Sequence, residues 1–210
     1  MLRVAVTGGV ASGKSTVLAA LADQGVATID LDRLCRELVE PGRPALERIR
    51  REFGEEFLAG GALDRARMRQ LISRDEGARR RLSAILHPPV VEVMEERLAE
   101  LAAAGQAVAA VEVALLFEAG YGDRFDAVIV AACPHEVSLG RLMARSGLSR
   151  EEAELLLGAQ LTIEEKIARA DFVVDTSGAP GDARRQVEQI LQKLHPSPSR
   201  GGFAPRREGG

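Results

Sequence analysis

The feature that most constrains this chain is a glycine-rich loop close to its N-terminus. The loop sequence is Gly8-Gly9-Val10-Ala11-Ser12-Gly13-Lys14-Ser15. It fits the pattern G-x-x-x-x-G-K-[ST]. The apolar run before it, residues 2–6, predicts a buried strand, and residues 15–23 predict a helix that ends before Gly25. A strand, a glycine-rich turn and a helix in this order predict a phosphate-binding loop in an α/β domain.

Each part of the loop has a role in holding a polyphosphate. Glycines allow a tight turn whose backbone N–H groups point at phosphate oxygens, and the next helix offers its positive end to the same anion. We expect Lys14 to reach the β- and γ-phosphates of ATP and the Ser15 hydroxyl to ligate Mg²⁺. The predicted ATP-binding residues are Gly8, Gly9, Val10, Ala11, Ser12, Gly13, Lys14, Ser15 and Thr16. The alternative is a glycine-rich αβ loop with a fortuitous lysine.

Composition excludes several classes of function. The 28 Lys and Arg against 31 Asp and Glu, with 3% aromatic residues, disfavour a basic nucleic-acid-binding module. The chain contains no Asn, so it lacks the Asn-Lys-x-Asp signature of a GTPase switch. Of its three lysines, only Lys14 lies in the first 165 residues, while Lys166 and Lys193 come later. A role that needs an ammonium group at the loop therefore has one candidate.

Cysteine usage and hydropathy predict a cytoplasmic protein. Cys35 and Cys133 are far apart and have no metal-site spacing, which favours two reduced thiols. No apolar run reaches the ~20 residues that a membrane span needs. We expect small-molecule substrates as partners, no nucleic acid, no membrane, and a monomer or weak homo-oligomer.

The pattern of apolar runs predicts an α/β fold with a five-stranded parallel sheet. The predicted strands are residues 2–6, 26–29, 107–113, 127–132 and 172–174. A long helical stretch separates the second run from the third, with helices predicted at 45–53, 65–74, 79–86 and 89–104. A second helical excursion follows the fourth run. The Pro-, Gly- and Ser-rich tail, residues 195–210, is expected to be disordered.

Two carboxylates follow the second predicted strand. Asp30 and Asp32 have i, i+2 spacing, which on a strand end would place them on the same side. In phosphoryl transfer to an alcohol, such a group can accept or orient the hydroxyl proton. The alternative for Asp32 is a helix N-cap, and both roles can hold together.

These features, with several downstream segments, resemble the dephospho-coenzyme A kinase family. The matching segments are, in chain order, the loop Gly8–Thr16, Asp30-x-Asp32, Pro41-Gly42, Leu63-Asp64-Arg65, His87-Pro88, Leu115-Leu116-Phe117-Glu118, Ala159-Gln160, Glu165-Lys166, Ala168-Arg169-Ala170-Asp171 and Asp175-x-Ser177-Gly178. They span about residues 2–180 of 210. The resemblance implies ATP-dependent phosphorylation of the ribose 3′-hydroxyl of dephospho-CoA, the final step of coenzyme A biosynthesis.

The resemblance also implies a P-loop NTPase core with an inserted helical substrate domain and a helical lid. The core is expected at residues 1–39, 105–136 and 167–194, the substrate (CoA) domain at 40–104 and the lid at 137–166. The chain departs from the family pattern at five places. They are Ser73 for Phe, Ala114 for Pro, Ser146 for Asp, Leu157-Gly158 where an Arg is often found, and Thr176 for Asn.

Several further residues are candidates for the site. Arg141 and Arg145 match lid arginines and share one face of a predicted helix; the alternative is a solvated face paired with nearby glutamates. Glu112 resembles an acid that acts on Mg²⁺ through water, and otherwise it is an exposed edge residue.

By position in the family motifs, we predict substrate contacts for Asp30, Asp32, Arg65, His87 and Leu116, with Asp32, Lys14, Arg141 and Arg145 as catalytic residues. The alternative for His87, which precedes two prolines, is a turn or helix entry. Two rival functions remain at this point: another small-molecule or nucleoside monophosphate kinase, and a regulatory protein that binds ATP without transfer.

Overall fold

The computed structural model describes residues 1–194, and the predicted tail at 195–210 lies outside the described residues. The described chain forms two compact units. One contains Met1–Ile29 and, among the described residues, 101–194; the other is Asp30–Glu100. No helix among residues 1–194 combines the length and the apolar character that crossing a membrane requires.

Strands and helices alternate along the first and last thirds of the chain. The strands are β1 (Leu2–Thr7), β2 (Ala27–Asp30), β3 (Leu58–Ala59), β4 (Ala62–Leu63), β5 (Val108–Glu112), β6 (Ala127–Ala132) and β7 (Phe172–Asp175). The helices are α1 (Lys14–Asp23), α2 (Leu31–Glu37), α3 (Pro44–Phe53), α4 (Arg65–Arg74), α5 (Glu76–Ala103), α6 (His135–Ser146), α7 (Arg150–Gly158), α8 (Ile163–Ala168) and α9 (Pro180–Leu194). The five predicted strands of the main sheet are confirmed, with small shifts at their ends.

The main sheet has the strand order β2-β5-β1-β6-β7. The central strand β1 pairs in parallel with β5 on one side and with β6 on the other. The chain thus leaves β1 towards one edge of the sheet and later returns to its opposite side. In open α/β sheets, ligands bind at such a switch point, beyond the carboxyl ends of the strands. The glycine-rich loop follows β1 and therefore starts at this place.

Helices α1 and α9 cover one face of the sheet. Val17 and Leu21 of α1 and Val187 of α9 are fully buried against alternate residues of the strands, such as Val4. The strands read as nearly continuous apolar runs because they are buried along most of their length. The strand that carries the loop therefore lies within a buried core.

The unit Asp30–Glu100 has its own apolar core. It contains α2, α3, the β3–β4 hairpin, α4 and most of α5. Ile49 and Phe53 of α3 pack with Met68 of α4 and Ile85 of α5. The side chain of Asp64 accepts a hydrogen bond from the Arg67 N–H and thereby caps α4.

Helix α5 corrects the prediction of two helices interrupted near His87. It runs unbroken for 28 residues through Pro88 and Pro89. Each proline removes one backbone hydrogen bond and crowds the preceding turn, at a cost of about 3 kcal/mol. Buried side chains on both sides, Ile85 and Val90 among them, hold the helix together across this point. His87 therefore lies in a helix interior, and the turn or helix-entry alternative is wrong.

Candidate active site

The glycine-rich loop between β1 and α1 is shaped by backbone positions that only small residues fit. At Gly8, with φ +150°, an added Cβ would lie 2.4 Å from the carbonyl oxygen of Ala131. At Gly13, with φ +89°, it would lie 2.9 Å from the Cβ of Thr176. Ala11 takes a left-handed conformation, φ 56°, which costs a non-glycine residue roughly 1–2 kcal/mol. The loop is thus a close-packed and partly strained turn.

Lys14 is the first residue of α1, and its side chain folds over the loop. Its Nζ donates to the carbonyl oxygens of Gly9, at 2.9 Å, and Gly8, at 3.3 Å. Within the described chain, no side chain caps α1 and no acid lies in its first turn. The positive end of the helix and the ammonium group therefore act on the same region, which is the charge pattern that a polyphosphate requires.

Two oxygen donors belong to elements at the same end of the sheet. Ser15 is exposed in the first turn of α1, and Glu112 is the last residue of β5, half-buried and opposite Val6 of β1 in the register. A hydroxyl and a carboxylate are hard ligands of the kind that Mg²⁺ takes in proteins. The donor set thus fits Mg²⁺.

The two carboxylates of α2 have different local roles. Asp30 accepts a hydrogen bond from the Arg33 N–H at 2.9 Å and is the N-cap of α2. Asp32 is exposed in the first helical turn. The alternative of N-capping therefore applies to Asp30, not to Asp32. Asp32 does not lie on a strand end, as the i, i+2 spacing predicted, because the helix begins at Leu31.

Both carboxylates act on a neighbouring thiol. Burial raises the pKa of Cys35 to about 11, and the negative charges of Asp32 and Asp30 add to this effect. At neutral pH, Cys35 is therefore a protonated thiol and a poor nucleophile.

Arg65 and His87 are the other predicted substrate residues of this unit. Arg65 begins α4, and its Nη2 lies 3.5 Å from the carbonyl oxygen of Arg36 in α2. His87 is an exposed residue of α5. Both side chains are exposed at the surface of this unit.

The two arginines of α6 differ sharply in their surroundings. The Nη2 of Arg141 donates to the carbonyl oxygen of Thr176 at 2.7 Å, and its Nη1 lies 3.8 Å from the Sγ of Cys133. Arg145, one turn further along, is exposed and makes no hydrogen bond or ion pair with residues 1–194. The Arg141 guanidinium is therefore held by hydrogen bonds, whereas the Arg145 guanidinium lies at the surface.

Leu116 corrects a prediction. Its side chain is fully buried, so it has no surface with which to contact a substrate. Its neighbour Glu118 instead pairs with Lys166 of α8, whose Nζ lies 2.9 Å from the carboxylate and 3.2 Å from the Ala114 carbonyl oxygen. The Lys166 side chain is 0% exposed. The segment that follows β5 is thus held to α8 by this ion pair. In the sequence, Glu118 and Lys166 stood out only as matches to two family motifs.

The comparisons with known proteins point to one kind of enzyme. A family model described as dephospho-CoA kinase (CoaE) matches residues 2–181. A dephospho-CoA kinase from Anaeromyxobacter dehalogenans is 46% identical over 192 residues, 91% of each chain. The crystal structure of TT1252 from Thermus thermophilus matches with a TM-score of 0.81 at 35% identity, covering 93% of this chain and 98% of that one. The dephospho-CoA kinase from Campylobacter jejuni matches with a TM-score of 0.67 at 29% identity, covering 91% and 96%.

Proposed function

Because the chain belongs to the dephospho-CoA kinase family, we propose that it transfers the γ-phosphate of ATP to the ribose 3′-hydroxyl of dephospho-CoA, giving CoA and ADP. The observation that carries this proposal is the loop itself, with the Lys14 ammonium folded over its carbonyl groups at the start of α1. The family is one of ATP-dependent kinases, and ATP is the co-substrate.

The loop holds the nucleotide. Backbone N–H groups of residues 8–16 bind the phosphate oxygens, and Lys14 moves its ammonium from the Gly9 carbonyl to the β- and γ-phosphates. The exchange replaces a neutral acceptor by an anionic one, which adds Coulomb attraction to the hydrogen bond. The N-terminus of α1 adds its partial positive charge on the same side.

The metal that the family implies is Mg²⁺. Ser15 would hold it directly and Glu112 through water, as their oxygen donors fit this ion. When bound, the ion neutralises charge on the phosphate oxygens.

The transfer step makes one bond and breaks one. The 3′-hydroxyl oxygen bonds to the γ-phosphorus while the bond to the β–γ bridging oxygen breaks, and ADP leaves. Asp32 takes the hydroxyl proton; its exposed carboxylate has no capping bond to give up, whereas Asp30 already has one with Arg33. Because the transition state is loose, orientation of the hydroxyl contributes more than removal of its proton.

The helical segments supply the remaining parts. We assign residues 40–104 to substrate binding, with Arg65 and His87 as ligands for the coenzyme, and residues 137–166 to a lid. Arg145 is the lid residue that neutralises charge on the moving phosphoryl group, because its guanidinium has no partner among the described residues. Closure of the lid would exclude water from the transfer.

The experiment that tests this function is a product assay. Purified protein is incubated with ATP, MgCl₂ and dephospho-CoA, and CoA and ADP are measured by mass. We expect equimolar CoA and ADP. ATP hydrolysis without CoA, or nucleotide binding without either product, would refute the assignment.

Variants with matched controls separate the roles. We expect Lys14→Met to lower kcat/KM by about 10²–10³-fold, as for loss of one electrostatic donor, while Lys193→Met at an exposed position leaves it unchanged. Asp32→Asn should lower kcat by about 10²-fold or more, with Asp23→Asn as its control. An Asp32→Asn enzyme with full kcat would remove only the proton-acceptor role.

A further inference from the structure

We propose that Thr176 is a positioning residue for the phosphate loop, holding Ser12 and Gly13 so that Lys14 and the start of α1 are in place before ATP binds. This inference rests on the proposed function, since ATP is the ligand that the loop serves. Thr176 follows β7 and stands where the family motif has Asn.

The Thr176 side chain is buried, with 5% of its surface exposed, and its hydroxyl lies between two carbonyl groups. Its Oγ1 is hydrogen-bonded to the carbonyl oxygen of Ser12 and lies 3.0 Å from that of Ala132. A hydroxyl has one hydrogen to donate. Because the Thr176 N–H already donates to Ala132 O at 2.8 Å, Ser12 is the acceptor that depends on the hydroxyl.

The Thr176 side chain also packs against Gly13. A Cβ built on Gly13 would lie 2.9 Å from the Cβ and 3.0 Å from the Oγ1 of Thr176. Thr176 therefore packs directly against Gly13, at φ +89°, where the loop turns into α1. The next residue is Lys14, so a shift of this turn displaces the ammonium group.

Arg141 holds Thr176 from the lid side. Its Nη2 donates to the Thr176 carbonyl oxygen at 2.7 Å. Arg141 belongs to α6, whose residues Leu139 and Leu142 pack with Val10 of the loop. We therefore assign Arg141 a positioning role that acts on the loop through Thr176.

The surroundings of the Ser12 hydroxyl show how closely the glycine-rich loop is packed. Its Oγ is buried and has no hydrogen-bond partner among the described residues, and it would lie 2.5 Å from a Cβ at Gly8. Water therefore has little access to the Ser12 backbone on this side. Loss of the Thr176 hydroxyl would leave the Ser12 carbonyl unpaired, and the loop would shift to find another donor.

The test compares Thr176→Val, which keeps the shape and removes the hydroxyl, with Thr176→Ser, which keeps the hydroxyl. Calorimetric titration with ADP and Mg²⁺ gives the affinity, and steady-state assays give KM for ATP and kcat. We expect Thr176→Val to weaken ADP binding and raise KM by about tenfold, equivalent to about 1.4 kcal/mol, with a smaller change in kcat. Thr176→Ser should bind ADP within about twofold of the unaltered protein.

Two further variants complete the test. Val187→Ala on the buried face of α9 lowers stability at a position outside the loop and should keep the unaltered ADP affinity. Arg141→Met should weaken ADP binding, and its effect should add only partly to that of Thr176→Val, because both act on one contact.

Three results would overturn the proposal: unaltered ADP affinity in Thr176→Val, a Thr176→Ser protein as weak as Thr176→Val, or full additivity with Arg141→Met. A protein that binds ADP but forms no CoA would refute the proposed function alone, because ADP binding still measures the loop.

Discussion

A substitution of Lys166 should destabilise the fold strongly. Its side chain is fully buried in α8, and its Nζ lies 2.9 Å from the Glu118 carboxylate and 3.2 Å from the Ala114 carbonyl oxygen. Lys166→Met keeps the length and apolar stem of the side chain and removes the charge. The Glu118 carboxylate then loses its only cation within 4 Å among the described residues.

The magnitude follows from how much of the pair is out of water. Removal of one partner of a buried ion pair costs about 3–5 kcal/mol. The Glu118 side chain is 20% exposed and also accepts a hydrogen bond from the Leu161 N–H, so it keeps part of its solvation. We therefore expect the lower end, a loss of about 3 kcal/mol in the free energy of unfolding. For a chain of this size that lowers Tm by about 6–12 °C.

Guanidinium unfolding of Lys166→Met, Glu118→Gln and the double variant measures this effect. We expect the double variant to be more stable than the sum of the single losses predicts, because the second change removes the unpaired charge. Lys193→Met is the control and should stay within about 0.5 kcal/mol of the unaltered protein. A loss below about 1 kcal/mol for Lys166→Met, or full additivity, would refute the reasoning.

Three further predictions follow from single features. Cys35 should react slowly with iodoacetamide at pH 8, as followed by peptide mass, because its pKa is raised to about 11. Asp32→Asn removes a charge that raises this pKa, so the variant should react faster. An unchanged alkylation rate in Asp32→Asn would contradict the effect of the Asp32 charge on Cys35. Pro88→Ala should raise the free energy of unfolding by about 1–3 kcal/mol, since alanine restores a helix hydrogen bond in α5; a loss in urea unfolding would contradict this. Hydrogen bonds to the N-caps of α7 and α8 lower the pKa values of Glu152 and Glu165. Their contribution to stability is therefore complete above the ordinary pKa of 4.5 and is lost as pH falls through the lowered pKa. Tm measured from pH 6 down to pH 3 should fall, and the Tm of Glu152→Gln should fall less steeply over the same range.

Local patterns in the sequence were enough to predict the strands and the phosphate loop. A buried strand is an apolar run, and the loop needs glycine and lysine at fixed spacing, so both can be read within about ten residues. The order of family motifs likewise predicted the kinase family, because those residues lie along the chain regardless of how it folds. The placement of Lys14 at the start of α1 needed no tertiary information.

The assignments that failed depended on neighbours distant in the chain. Leu116 belongs to a family motif, yet its side chain is buried. His87 precedes two prolines, and apolar contacts on both sides keep it helical. Local propensity is weak against burial of a whole helix face, so these outcomes were decided by packing.

The sequence by itself predicted which groups carry the chemistry: a phosphate loop with one lysine, a pair of carboxylates, and the arginines Arg141 and Arg145. Tertiary structure alone decided what holds that chemistry in place. The buried Lys166 bonds to a residue 48 positions away, and Thr176 supports Ser12 from 164 positions away, at the far end of the sheet order. Hydrogen bonds of this kind join groups through space, and no spacing along the chain encodes them.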